Sequence, residues 1–333
     1  MSNICEVTDT VLNELSVPEI GVPEGLPQET LVDKVAVAEV AASDVAALDR
    51  RYMLSSSSPS KYRILRILVG EVTLRHIATD TTFRQEIDYI SKSYSSEEGV
   101  HIHRKLVSYI GDEISEAEAA RYFFEIPYSL RNKDFFQRLE NEVTNYLFYQ
   151  SKSSFTTAYV FIYRILEMIS FSFPMIYAAK TYDFKHTYGT LKEYFAENKG
   201  NSVGELGFLK SAIQSIFKRH VLAESTVDLI LDYESEDTQS QIYEAIMGVT
   251  KPDLYHGDTV ANRKIAIRFT EVSSFIIIIR NRFFHLFNRG DKNLESIDIV
   301  DADMLFSKLN EPLFSWIAVV YLEVIRFTYG ELS

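Results

Sequence analysis

At 333 residues the chain can build one large or two ordinary domains, and its apolar, Phe- and Tyr-rich composition is that of a folded globular protein. Its formal net charge of −13 repels nucleic acid, so a polyanionic substrate must be met by a local basic patch or by a partner. A single cysteine, Cys5, excludes a disulfide framework within the chain and any multi-cysteine metal site.

The first segment, residues 1–54, is acidic. Glu6, Asp9, Glu14, Glu19, Glu24 and Glu29 recur, Pro18, Pro23 and Pro27 punctuate it, and the first fifty residues lack Phe, Tyr and Trp. The proline-punctuated first part is expected to be extended and mobile, or ordered only on a partner, while the Ala/Val-rich residues 31–50 can form a helix. The segment's start has no basic region followed by an apolar core, so no secretory signal is expected and the cytoplasm is the default location. Ser55-Ser56-Ser57-Ser58-Pro59-Ser60 reads as a linker or exposed loop. An N-terminal domain over 61–135 follows, α or α+β in class. Within it, Lys61–Thr82 fits either a helix or a strand pair, and His101-x-His103 would place two imidazoles on one side of a strand. No third ligand accompanies that pair, and no metal is expected. Ser115-Glu116-Ala117-Glu118 is a capping-box pattern opening a helix to about Glu125, ended by Pro127.

The rest reads as mainly α. Phe135, Phe136, Leu139, Val143, Tyr146 and Leu147 keep helical spacing. Phe155, Tyr159, Ile162, Tyr163, Leu166 and Ile169 predict a strong helix, with Pro174 at its end. Residues 175–262 predict shorter helices between glycines, with Asp232–Asp237 as an acidic loop or cap and Tyr255-His256-Gly257-Asp258 as a loop. Val272, Phe275, Ile276, Ile279 and Phe283 form the next helix face, and Ile277 and Ile278 opposite are apolar too. A helix apolar nearly all round is covered on several sides, by core or by a second subunit. Asn288-Arg289-Gly290 predicts its C-terminal end. A last helix is expected over about 303–327, bent near Pro312. No apolar run is long enough to span a bilayer, so no membrane partner is expected.

The chemistry-bearing stretch is Arg280-Asn281-Arg282-Phe283-Phe284-His285, placed after the run Ile276–Ile279. Burying Arg, Asn and His costs free energy unless each finds a partner. Two readings are open. Cations near a helix C-terminus are favoured by the helix dipole, so the group can be a cap. Alternatively it is a phosphate-handling site. His285 would serve as general base or acid, Arg280 would hold the phosphate and stabilise developing charge, and Asn281 would orient the imidazole or donate to the phosphate. The ribose 2′-hydroxyl would be the nucleophile, making the reaction RNA-specific and metal-independent. On one ideal helix Arg280 and His285 point about 140° apart. A shared site is therefore expected to need two copies of the helix, packed about a two-fold axis.

Arg280-Asn281-x-x-x-His285 at the end of an apolar helix resembles the signature of the HEPN superfamily (higher eukaryotes and prokaryotes nucleotide-binding). This is the one Arg/His pair in the chain with the family's spacing. Ala158–Glu167 resembles the family's first core helix, with Arg164 and Glu167 as an Arg-x-x-Glu pair. The resemblance covers residues 140–333 and implies a helical bundle in which 175–262 is an inserted helical region. It also implies a metal-independent endoribonuclease needing no cofactor, of the kind that serves as a toxin or abortive-infection effector against phage. Arg280, Asn281 and His285 would be catalytic, with Arg164, Glu167 and Arg282 supporting. The implied partners are RNA, a second copy joined through the 271–287 helix, and an antitoxin or activating subunit. The alternative is an inactive scaffold, or a nucleotide- or protein-binding module of a multi-subunit defence complex.

Overall fold

The computed structural model describes residues 5–9, 54, 58–70, 72–91, 93–94, 102–111, 114–126, 128–180, 209–211, 213–214, 217, 221–256, 263–285, 292–295 and 297–329. They are mainly helical, with short antiparallel strand pairs between the helices. Two compact units arise: residues 1–151 with 321–333, and residues 152–320. The sequence places its boundaries instead at 54 and near 140.

The first unit is organised on helix α1 (Ser60–Val69), every residue of which is buried. The ambiguous stretch Lys61–Thr82 is thus both things in turn: α1, then a hairpin of β2 (Val72–His76) and β3 (Thr81–Gln85). Gly70 joins them at φ +90°, where an added Cβ would lie 2.8 Å from the Glu86 carbonyl oxygen, so the turn requires glycine. Strand β1 (Cys5–Asp9) pairs antiparallel with β2, Cys5 opposite His76 and Asp9 opposite Val72. This corrects the expectation of an extended acidic tail for those five residues; their alternating pattern completes an open edge of the hairpin. The tail's remainder up to residue 53 lies outside the described residues. A short pair, β4 (Ile87–Asp88) and β5 (Ser93–Tyr94), is followed by helices α2 (Ile102–Ile110) and α3 (Glu116–Phe124). His103 is therefore helical rather than on a strand, and His101 lies outside the described residues. Helix α3 opens on the expected capping box: the Ser115 hydroxyl accepts from the Glu118 amide, and the Glu118 carboxylate accepts from the Ser115 amide. Helix α4 (Lys133–Ser151) lies against α1, tied to it by a buried bidentate pair. The Arg63 Nε and Nη2 donate to the two Glu140 carboxylate oxygens at 2.6 and 2.7 Å.

The second unit begins with helix α5 (Phe155–Lys180). It runs through Pro174, which was expected to end it. Proline removes one backbone hydrogen bond, and the remaining bonds of a long helix carry that loss. Next, β6 (Thr226–Ile230) and β7 (Lys264–Arg268) form an antiparallel pair where only helices were expected. Val227 and Leu229, and Ile265 and Ile267, are buried and alternate with half-buried or exposed neighbours. Each run is only five residues long, too short for its period of two to stand out in sequence. Between them, helix α6 (Glu236–Val249) is capped by Ser235, whose hydroxyl accepts from the Thr238 amide. Glu236 and Asp237 sit in its first turn, where the helix dipole favours acids.

Helix α7 (Val272–Phe284) buries Val272, Ser273, Phe275, Ile276 and Ile279, while Ile277 and Ile278 are half-buried. Helix α8 (Ala302–Tyr329) passes through Pro312 as one element; residues 302–320 belong to this unit and 321–329 to the first. Asn310 of α8 donates to the Phe155 carbonyl at 2.8 Å, and the Asp303 carboxylate accepts from the Thr156 amide at 2.6 Å. The Asp303 contact satisfies one of the N–H groups that have no intrahelical partner at the start of α5, and the Asn310 amide adds a second donor to the Phe155 carbonyl. No helix among the described residues is long and apolar enough to cross a membrane.

Candidate functional site

The site begins with where α7 stops. Its last helical residue is Phe284, and His285 is the C-cap, in an extended conformation at φ −118° and ψ 91°. The His285 amide still closes the final turn by donating to the Asn281 carbonyl at 3.2 Å. The expected end at Asn288-Arg289-Gly290 falls outside the described residues, and the helix ends before it. The Leu294 amide donates to the Arg282 carbonyl at 3.0 Å.

This early exit changes the geometry of the motif. His285 no longer follows the helical rotation, so its ring swings back over the last turn. Arg280 Nη1 donates to Asn281 Oδ1 at 2.9 Å and also to His285 Nε2. Arg280, Asn281 and His285 therefore meet within one copy of the chain, which corrects the expectation that Arg280 and His285 need two helices to come together. A guanidinium has no acceptor, so His285 Nε2 is the acceptor in this contact and its lone pair faces Arg280. His285 is exposed, and Arg280 and Asn281 are half-buried.

Helix α5 supplies the floor beneath them. The Arg280 guanidinium lies over the Tyr163 ring, 4.4 Å from its centroid. The Tyr159 hydroxyl donates to the Ile276 carbonyl at 2.8 Å, one turn before Arg280. Burial pushes the Tyr159 phenol well above its ordinary range, against the opposing pull of the Arg280 charge. It remains protonated and serves as a hydrogen-bond donor. Its ring packs on Phe306 of α8, with centroids 4.4 Å apart. These two tyrosines were legible only as part of an apolar helix face. The signal that singles them out is two phenols spaced by four on an apolar face, since a buried phenol has to find a partner.

The expected supporting residues are Arg164, Glu167 and Arg282. Arg164 follows Tyr163 at an exposed position, and Glu167 is half-buried further along α5; the α5 side chain under Arg280 is Tyr163. Arg282 is half-buried and accepts from the Leu294 amide through its backbone carbonyl. Elsewhere, Tyr255 bridges to Ile267 beside β7, and the His256 amide donates to the Ala266 carbonyl at 3.0 Å, so this expected loop is stitched to the strand. Among the described residues no group of three His, Cys, Asp or Glu side chains is arranged to hold a metal ion.

The arrangement can bind an anion at Arg280, exchange a proton at His285 Nε2 and orient both through Asn281. Comparison of the chain with protein-family models, with curated proteins and with solved structures finds no match.

Proposed function

We propose that the chain is a metal-independent endoribonuclease of HEPN type, acting as a toxin or as an abortive-infection effector against phage. The observation that carries this reading is the convergence of Arg280, Asn281 and His285 at the exposed end of an apolar helix. An arriving phosphodiester takes over the Arg280 N–H now directed at His285. The freed Nε2 lone pair accepts the proton of the ribose 2′-hydroxyl, and the 2′-oxygen attacks phosphorus. The bond to the 5′-oxygen breaks, leaving a 2′,3′-cyclic phosphate and a 5′-hydroxyl that takes its proton from imidazolium or water. Arg280 stabilises the charge on the phosphoryl oxygens, and Asn281 holds the guanidinium by its Oδ1.

A homodimer through α7 fits this reading, because Ile277 and Ile278 are left half-buried on it. An antitoxin or activating subunit would supply control. Incubating purified protein with total RNA tests the proposal. His285→Ala should lower cleavage by at least about a hundredfold, the usual scale for losing a general base, and EDTA should leave wild-type cleavage unchanged. Undiminished cleavage by a folded His285→Ala variant sinks the assignment.

One observation favours the second reading, a non-catalytic scaffold or binding module. Arg280 and His285 satisfy one another, and Tyr163 covers the guanidinium, as befits a helix-end cap. On that reading wild type cleaves no RNA, while Arg280→Ala lowers stability or partner binding.

A further inference from the structure

Phe284 is 39 % exposed, although it closes an apolar helix whose other aromatic neighbours are packed inward. Its ring is fixed from the inner side. Phe283 meets it edge-on at 4.8 Å between centroids. The Tyr159 and Phe306 rings lie within 11° and 25° of its plane, at 6.5 and 6.4 Å. A ring held on one side and open on the other offers a flat, oriented surface to solvent. It immediately precedes His285, the exposed member of the Arg/Asn/His cluster.

The charge balance says what that surface has to contribute. With a net charge of −13 the molecule does not attract RNA at long range. A few local cations must hold the phosphate, and further affinity has to come from an interaction that is not Coulombic. Stacking of an unpaired base on an aromatic ring is such an interaction, and it tolerates any sequence because every base has a π-face. Resting on the endoribonuclease reading, we infer that Phe284 is the stacking platform for the base flanking the phosphate held by Arg280, so that the substrate is single-stranded RNA. Purines, with the larger ring system, stack better than pyrimidines at this position.

The test uses the full chain and a single-stranded RNA oligonucleotide. One form carries 2-aminopurine and is 2′-O-methylated to block cleavage; an unmodified form is used for kinetics. Wild type, His285→Ala and Phe284→Trp should quench 2-aminopurine fluorescence on binding. Phe284→Ala should not, and it should raise KM roughly tenfold, with a larger change in KM than in kcat, as expected for one lost base stack. Phe284→Leu fills the same space without a π-face and decides by the same readout where the alanine variant fails to fold. Quenching by Phe284→Ala or Phe284→Leu equal to wild type overturns the inference, as does a loss in kcat with KM unchanged. RNA that wild type binds and quenches but does not cleave overturns the nuclease reading while retaining the platform. RNA that it neither binds nor cleaves removes both.

Discussion

Arg280 is held by an aromatic ring below, an amide oxygen beside it and an imidazole nitrogen ahead of it. Removing Tyr163 therefore tests how far placement of the guanidinium matters. A cation–π contact contributes about 0.5–2 kcal/mol, and Phe keeps the ring that Leu lacks. Tyr163→Phe should retain RNA cleavage within about threefold, whereas Tyr163→Leu should lower kcat roughly tenfold, read from single-turnover assays with melting curves as a folding control. Equal loss in both variants would assign the effect to the hydroxyl. The motif residues themselves were legible from spacing alone: an Arg, an Asn and a His after four isoleucines. Their mutual contact was not, because it depends on the backbone leaving the helix at His285.

At the scale of elements, termini were the least legible feature. Asn288-Arg289-Gly290 is a good local stop signal, yet α7 ends at Phe284, where the Leu294 amide reaches the Arg282 carbonyl. A contact ten or so residues away in sequence outweighs a local preference. The same holds for the strand pair β6–β7, whose short runs find their partner only through the fold. Ser115 is the opposite case: its capping box is entirely local and formed as expected. Helices α1 and α4 are joined by the Arg63–Glu140 pair, with side-chain exposures of 11 % and 2 %. Removing one partner leaves a buried charge uncompensated, which costs about 3–5 kcal/mol. Glu140→Ala should lower unfolding stability by that amount in urea titration, and Arg63→Met with Glu140→Leu should recover much of it. A loss below about 1 kcal/mol in Glu140→Ala would show the pair to be solvated.

The molecule as a whole carries a buried cation with a readable pH signature. Lys61 donates to the Tyr122 and Tyr128 carbonyls at 2.7 and 2.9 Å, and its ammonium lies 3.9 Å from the Tyr122 ring centroid. Burial, and then the Arg131 charge, lower its pKa from 10.5 to about 7. The unfolded chain thus binds a proton that the folded one has lost between those two values, so stability rises with pH across that window. The slope from this group approaches about 1.4 kcal/mol per pH unit, and below about pH 7 it contributes none. Urea titrations at several pH values should show the rise in wild type, and its difference from Lys61→Met isolates the group. A difference that stays flat from pH 7 to 10 would place the amine in water. The proposed dimer makes a separate demand: Ile277→Asp with Ile278→Asp should convert it to monomer by light scattering, while cleavage persists if one copy completes the site.

Composition and periodicity alone were sufficient for the mainly helical class and for most helix faces, and they singled out Arg280, Asn281 and His285. Those properties are written locally, in spacings of three and four and in capping pairs. Tertiary structure decided that Cys5–Asp9 joins a sheet and that β6 finds β7. It also decided that Arg280 and His285 meet in one copy rather than across two. Each of these turns on a contact between residues distant in the chain or on the residue at which a helix is stopped, and neither is encoded in the spacing of the motif that it shapes.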